Sequence, residues 1–191
     1  MSLVLLTPPA VEPVSLAEAK AHLRIDATDE DVLIQNLILT SRIQIETALS
    51  LALVTQLWTL KLGCWPRDGI VEVPITPLQS VSMVRVRSTD GTVTVVANDH
   101  YEVDAAARPA RIYRHPTAAL ASGRRFGGIE IDFTAGFGGA AADVPASIRR
   151  ALLHLVAHWF ENREPSTLPA VPPPIPDTVS ELLWPFRTVR L

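Results

Sequence analysis

The spacing of hydrophobic residues changes twice along the chain. It is helical from about residue 16 to 49, alternating from about 55 to 135, and helical again from about 145 to 163. The first helical stretch opens with PVSLAEAKAHLRI, where Ser15 and Glu18 stand at capping-box spacing, each side chain answering a free backbone N–H. A short helix over about 16–24 is expected. Asp26, Asp29, Glu30 and Asp31 follow, without the glycine and distal glutamate of a calcium loop. They read as acids favoured by the start of a second helix, about 29–50, with Thr28 as its cap. Leu33, Ile34, Leu37, Ile38, Ile45, Ala48 and Leu49 form its stripe, while Leu39 and Ile43 fall outside it. An apolar arc this wide is either central in its own domain or shared with a neighbouring subunit.

In TQLWTLKLG, Trp58, Leu60 and Leu62 alternate with Thr59 and Lys61, as on a half-buried strand. Further strands are expected at Ile70–Val73, Val81–Arg87, Thr92–Val96, Tyr101–Val103, Ala110–Tyr113 and Ile129–Thr134. Asp90-Gly91 marks a hairpin, and Asn98-Asp99 and Arg108-Pro109 mark turns. Strands this closely joined, with no crossover helix between them, imply an antiparallel sheet. Pro145 then starts a helix whose stripe is Ile148, Leu152, Leu155, Val156, Trp159 and Phe160. Arg149, Arg150, His154, His158 and Glu161 lie toward its other side, and Pro165 ends it.

The chain is therefore expected to be α+β: a helical core of two N-terminal helices and a long C-terminal one, with an inserted antiparallel β-rich subdomain over about 55–135. Residues 1–164 would form a single domain, and 165–191 a stiff proline-rich arm. The arm ends in DTVSELLWPFRTVRL, where Asp177 or Thr178 caps one helical turn before Pro185. Leu182, Leu183, Trp184, Pro185, Phe186 and Arg187 make this end a docking segment, unless it folds back on its own domain.

Composition narrows the function. Hydrophobic residues make up 48% and charged residues 19%, so most of the chain should fold. A net charge of −3 argues against a dedicated nucleic-acid binder. Cys64 is the only cysteine, which excludes an intrachain disulfide, and MSLVLLTPPA lacks the basic start of a signal peptide. The apolar run 32–54 is broken by Arg42, Gln44 and Glu46 and does not read as a membrane span. The expectation is a soluble intracellular protein.

No catalytic constellation appears. Gly136-Phe137-Gly138-Gly139 follows a strand, as a dinucleotide fingerprint does, but the helix begins several residues later at Pro145 and no second parallel strand follows. Gly136, Gly138 and Gly139 therefore read as a hinge. His154 and His158 stand four apart on one helical face, a metal-binding geometry, yet Leu155 occupies the place of the zincin glutamate. Two alternatives stay open: exposed or interfacial histidines, and a ligand- or metal-binding domain built on the glycine loop with His154 and His158. No cofactor is implied by the first.

The order of the motifs resembles the head–tail connector (adaptor) family of long-tailed phages, prophages and gene transfer agents. The matching stretches are PVSLAEAKAHLRI, DVLIQNLILTSRIQIE, LVTQLWTLKL, PLQSVSMVRV with TDGT, HYEVD, FTAGFGGAAADVPASIRRALLHLVAHWFENRE and the closing LLWPFRTVRL. The resemblance implies a structural virion protein, not an enzyme, forming a ring, usually of twelve copies, under the portal. Such a ring extends the DNA channel, lets DNA pass without sequence recognition and offers the surface for a tail-side completion or stopper protein. It implies a place at the head–tail joint of a phage-like particle, with no membrane, and a C-terminal segment that reaches the portal. A heterologous ring needs two unlike faces on each subunit. Leu39 and Ile43 on the second helix and Arg149, Arg150, His154 and His158 on the last are candidates for them. A tail-terminator or tail-completion protein is the other reading within virion assembly.

Overall fold

The computed structural model describes residues 1–116, 124–162 and 176–187. The chain is α+β, and its described residues fall into two compact units, one of 1–10 with 50–137 and one of 11–49 with the residues from 138 onward. The alternating period produces the first unit and the helical period the second.

The first unit holds strands β1 (Ser2–Thr7), β2 (Gln56–Leu62), β3 (Ile70–Glu72), β4 (Leu78–Arg87), β5 (Val93–Val95), β6 (Tyr101–Asp104), β7 (Arg111–Arg114) and β8 (Ile129–Ala135). They form a five-stranded sheet in the order β1-β2-β8-β4-β5 and a three-stranded sheet in the order β3-β7-β6. Every strand pair in the two sheets is antiparallel, and short loops join β4 to β5 and β6 to β7. β2 and β8 pair in register from Gln56↔Ala135 to Leu62↔Ile129, which puts Leu60 opposite Ile131 and Trp58 opposite Phe133. These side chains share one core with Val84 of β4 and with Val71, Tyr101 and Ile112 of the smaller sheet. The two sheets thus enclose this core between them, while β1 and β5 at the edges of the larger sheet contribute no buried residue. Gly91 closes the β4–β5 hairpin at φ +93°, and Asp90 Oδ1 accepts the Thr92 N–H at 2.9 Å.

The opposite face of the large sheet carries charge. Glu130 is buried, and Lys61, Arg85 and Arg87 approach its carboxylate at 3.4, 3.7 and 3.3 Å. Burial pushes that carboxyl up, but Arg87 and Lys61 outweigh it and hold it below the usual value. Asp132 takes Arg85 Nη2 at 2.6 Å and the Thr59 hydroxyl at 2.6 Å.

The second unit holds α1 (Leu16–Leu23), α2 (Asp31–Leu49), α3 (Ala146–Glu161) and α4 (Asp177–Leu183). The capping box is present: Ser15 Oγ accepts the Glu18 N–H at 3.2 Å, and Glu18 Oε2 accepts the Ser15 N–H at 2.9 Å. α2 begins two residues later than expected, and Thr28 contributes through its carbonyl, which accepts the Asp31 N–H at 3.1 Å. Asp31 itself pairs with Lys20 of α1 at 2.6 Å, which draws it out of the acidic cluster. α2 packs on α3, and α1 touches both. Ile34, Ile38 and Ile45 of α2 and Ile148, Leu152 and Leu155 of α3 are fully buried.

Two elements differ from the reading of the sequence. The first residues form β1, an edge strand on β2, where only an extended start was expected. α4 begins after Pro176 rather than at a cap on Asp177 or Thr178, and it runs on through a 3₁₀ turn at Trp184–Phe186. Pro185 is tolerated because the opening residues of a helical turn have no N–H to donate within it. The proline-rich stretch 165–175 and the last residues 188–191 lie outside the described residues, as does Pro165 at the expected end of α3.

Candidate docking and subunit-contact surfaces

The C-terminal segment is divided by burial. α4 packs along α3 and buries Val179 and Leu183. Leu182 and Phe186 are half-buried, while Pro185 and Arg187 are exposed and Trp184 is 69% exposed. The Arg187 guanidinium lies 5.4 Å from the Trp184 ring centroid, a cation–π arrangement at an exposed site. Of the six expected docking residues, Leu183 serves its own unit, and Trp184 with Pro185 and Arg187 presents outward.

On α2, Leu39 is 40% and Ile43 50% exposed, and Val32, which the sequence reading did not single out, is 71% exposed. Positions 32, 39 and 43 share one helical face. Beside that face, the buried side chain of Arg42 reaches Glu12 Oε2 at 2.8 Å and Glu46 Oε2 at 2.7 Å. Burial disfavours the charged guanidinium, yet the two carboxylates outweigh it and raise its pKa. Glu12 precedes α1, so this cluster fixes the entry of the chain into the helical unit.

The polar side of α3 is mostly engaged within the unit. Arg149 donates to the Pro13 carbonyl at 3.1 Å and to Glu18 Oε1, tying α3 to the start of α1. Glu18 is held below its ordinary value, first by the Ser15 N–H and hydroxyl and then by Arg149. Arg149 therefore acts inside the subunit. Arg150 is exposed and donates to His154 Nε2 at 3.2 Å. His154 meets the His22 ring edge-on at 5.6 Å between centroids. Burial lowers the His154 pKa, and the charges of Arg150 and His22 lower it further. His158 Nε2 is buried and has no hydrogen-bond partner among the described residues, and Asn162 Nδ2 donates to the His158 carbonyl at 2.7 Å. Among the described residues no group of three or more His, Cys, Asp or Glu side chains could hold a metal ion.

A pH dependence follows from this arrangement. The folded-state pKa of His154 lies below its ordinary value of 6.5, so the unfolded chain binds its proton more readily. Its contribution to stability is complete above 6.5 and is lost as pH falls through the lowered folded value. Thermal unfolding between pH 7.5 and 5 should show a steeper acid loss for the wild type than for His154→Gln. Equal slopes would remove His154 from the account.

The glycine stretch makes no phosphate cradle. The Gly136 N–H goes to the Pro77 carbonyl at 2.9 Å, that of Phe137 to Leu53 at 3.2 Å, and that of Ala140 to Asp143 Oδ2 at 2.9 Å. Those donors are spent, and the Asp143 carboxylate lies against Gly138, where an anion would be repelled. Gly136, at φ +139°, is required because a Cβ there would stand 2.7 Å from the Val54 and Thr55 backbone. Gly139 has open space around it.

Comparison with known proteins gives a consistent result. The family profile described as "Phage gp6-like head-tail connector protein" matches residues 13–107. The chain belongs to the head–tail connector family. Three solved structures match over 100% of this chain and 97% of theirs. "Neck of empty GTA particle computed with C6 symmetry" is 29% identical with a TM-score of 0.81, and "Virion of native gene transfer agent (GTA) particle" is 26% identical with a TM-score of 0.81. "Neck of native GTA particle computed with C12 symmetry" is 27% identical with a TM-score of 0.79. A comparison with curated proteins finds no match. Among the described residues of this connector no helix is long and apolar enough to cross a membrane.

Proposed function

We propose that the chain is the repeating subunit of a head–tail connector ring, a structural virion protein at the head–tail joint of a phage-like particle. The observation that carries this reading is the likeness over the whole chain, β-rich part included, to proteins of gene-transfer-agent necks. In this reading a helical core carries the β-rich part, and the C-terminal segment from 165 onward serves as the docking arm. The ring, a dodecamer in this reading, joins the portal above to a tail-side stopper below, and DNA passes through it without sequence recognition. The exposed Trp184, Pro185 and Arg187 are the portal-docking end, with Leu182 and Phe186 flanking them. Leu39 and Ile43 on α2 supply one subunit face, and Arg150, with His154 and His158 behind it, part of another. Gly136, Gly138 and Gly139 are the joint between the last strand and α3, consistent with a division of the chain between Phe137 and Gly138.

Particles made without this chain should be tailless filled heads, and supplying the chain should restore tails. Normal tailed particles in its absence would refute the assignment.

A further inference from the structure

The turn before β8 carries an unused basic and aromatic tip. Arg124 and Arg125 are exposed, their side chains make no ion pair or hydrogen bond among the described residues, and Phe126 between them and Gly127 is 83% exposed. The turn is held in place. The Arg124 N–H donates to the Arg87 carbonyl at 2.9 Å, and the Arg87 N–H donates to the Gly128 carbonyl at 2.8 Å. Gly127 takes φ +62°, a conformation glycine adopts without strain. Glu130 of the following strand already has Lys61, Arg85 and Arg87 around it. Arginine and an exposed aromatic on a rigid turn have the composition of an interface anchor for an acidic partner with an apolar spot.

The same chain offers such a partner. Residues 11–49 carry seven acidic and three basic side chains. At the α1–α2 corner, Asp26 and Asp29 are exposed and make no ion pair or hydrogen bond among the described residues. Val32, 71% exposed, opens the first turn of α2 just beyond them. Lys20 is committed to Asp31, and Arg24 alone leaves the corner negative.

We propose that the Arg124–Arg125–Phe126 turn of one copy docks on the Asp26–Asp29–Val32 corner of the next, as one contact of the connector ring. Two unlike, complementary patches on one chain generate a head-to-tail contact, the type that closes a ring. Facing arginines to aspartates also opposes the wrong pairing of like patches. Duplex DNA would satisfy the arginines as well, but it gives Phe126 no role in a channel through which the duplex slides. The inference rests on the ring reading above.

The test compares particles assembled with the full-length wild type, with Arg124→Glu/Arg125→Glu, with Asp26→Arg/Asp29→Arg, and with all four changes in one chain. All of these positions are exposed, and circular dichroism verifies folding. Each double reversal should reduce the fraction of particles carrying a ring at least about tenfold, and the fourfold chain should restore it, because like charges then face unlike ones again. As a second readout, Arg125→Cys with Asp29→Cys in a Cys64→Ser background should give disulfide-linked multimers in particles. Rings unaffected by either reversal would overturn the contact while leaving the ring reading intact. Wild-type particles without a ring would overturn both. Normal rings that fail to retain DNA on arginine reversal would assign the turn to the channel and overturn the contact, as would a loss that the fourfold chain does not restore.

Discussion

Arg42→Ala is expected to destabilise the helical unit by about 3–5 kcal/mol, the cost of removing one partner from a buried ion cluster. The guanidinium lies between Glu12 and Glu46, which come within 2.8 and 2.7 Å of it. Its removal takes the shared cation from the Glu12 and Glu46 carboxylates, and it also deletes a side-chain stem packed in α2. Arg42→Met retains the stem and loses only the charge, so it separates the two contributions. Urea unfolding read by circular dichroism should give a midpoint far below wild type for alanine and an intermediate one for methionine. An unfolding free energy within about 0.5 kcal/mol of wild type for Arg42→Ala, the range of an inconsequential surface change, would contradict the role of the cluster.

Trp184→Ala is expected to weaken attachment to the portal by on the order of 2 kcal/mol, about thirtyfold, with little change in the stability of the subunit. The indole is 69% exposed, so its truncation opens no cavity. Leu183→Ala should behave in the opposite way. That side chain is buried where α4 packs on α3, and its loss should cost roughly 2 kcal/mol of stability, at the low end for a leucine, since a two-helix seam relaxes more easily than a deep core. Binding of the purified subunit to portal-bearing heads, measured beside thermal unfolding, distinguishes the two. Loss of stability with Trp184→Ala, or unchanged attachment, would show that the indole packs on its own unit instead.

The contrast between neighbouring residues shows what was legible in the sequence. The strands from Gln56 to Ala135 were readable because alternation reports directly which side chains face a core, and the hairpin at Asp90-Gly91 has a backbone requirement that glycine meets. The Ser15–Glu18 box was readable because it is local. β1 was not, since an edge strand is defined by a partner more than fifty residues away, Ser2 opposite Lys61. Arg149 was assigned outward because helical spacing places it off the apolar stripe. Its real partners, Glu18 and the Pro13 carbonyl, come from a different element. Arg42 was read as an interruption of an apolar run for the same reason. The glycine stretch was read as a hinge from its distance to the helix start, while the detail that bears on anion binding, the Asp143 carboxylate against Gly138, needed coordinates. The C-terminal segment held both readings at once: Leu183 folds back and Trp184 does not.

Imaging of intact particles made with this chain tests the central claim most directly. A closed ring of this subunit at the head–tail joint, contacting the portal through the Trp184 end, is the predicted result. Density for the chain elsewhere in the particle, or as an open or isolated subunit at the joint, would contradict it.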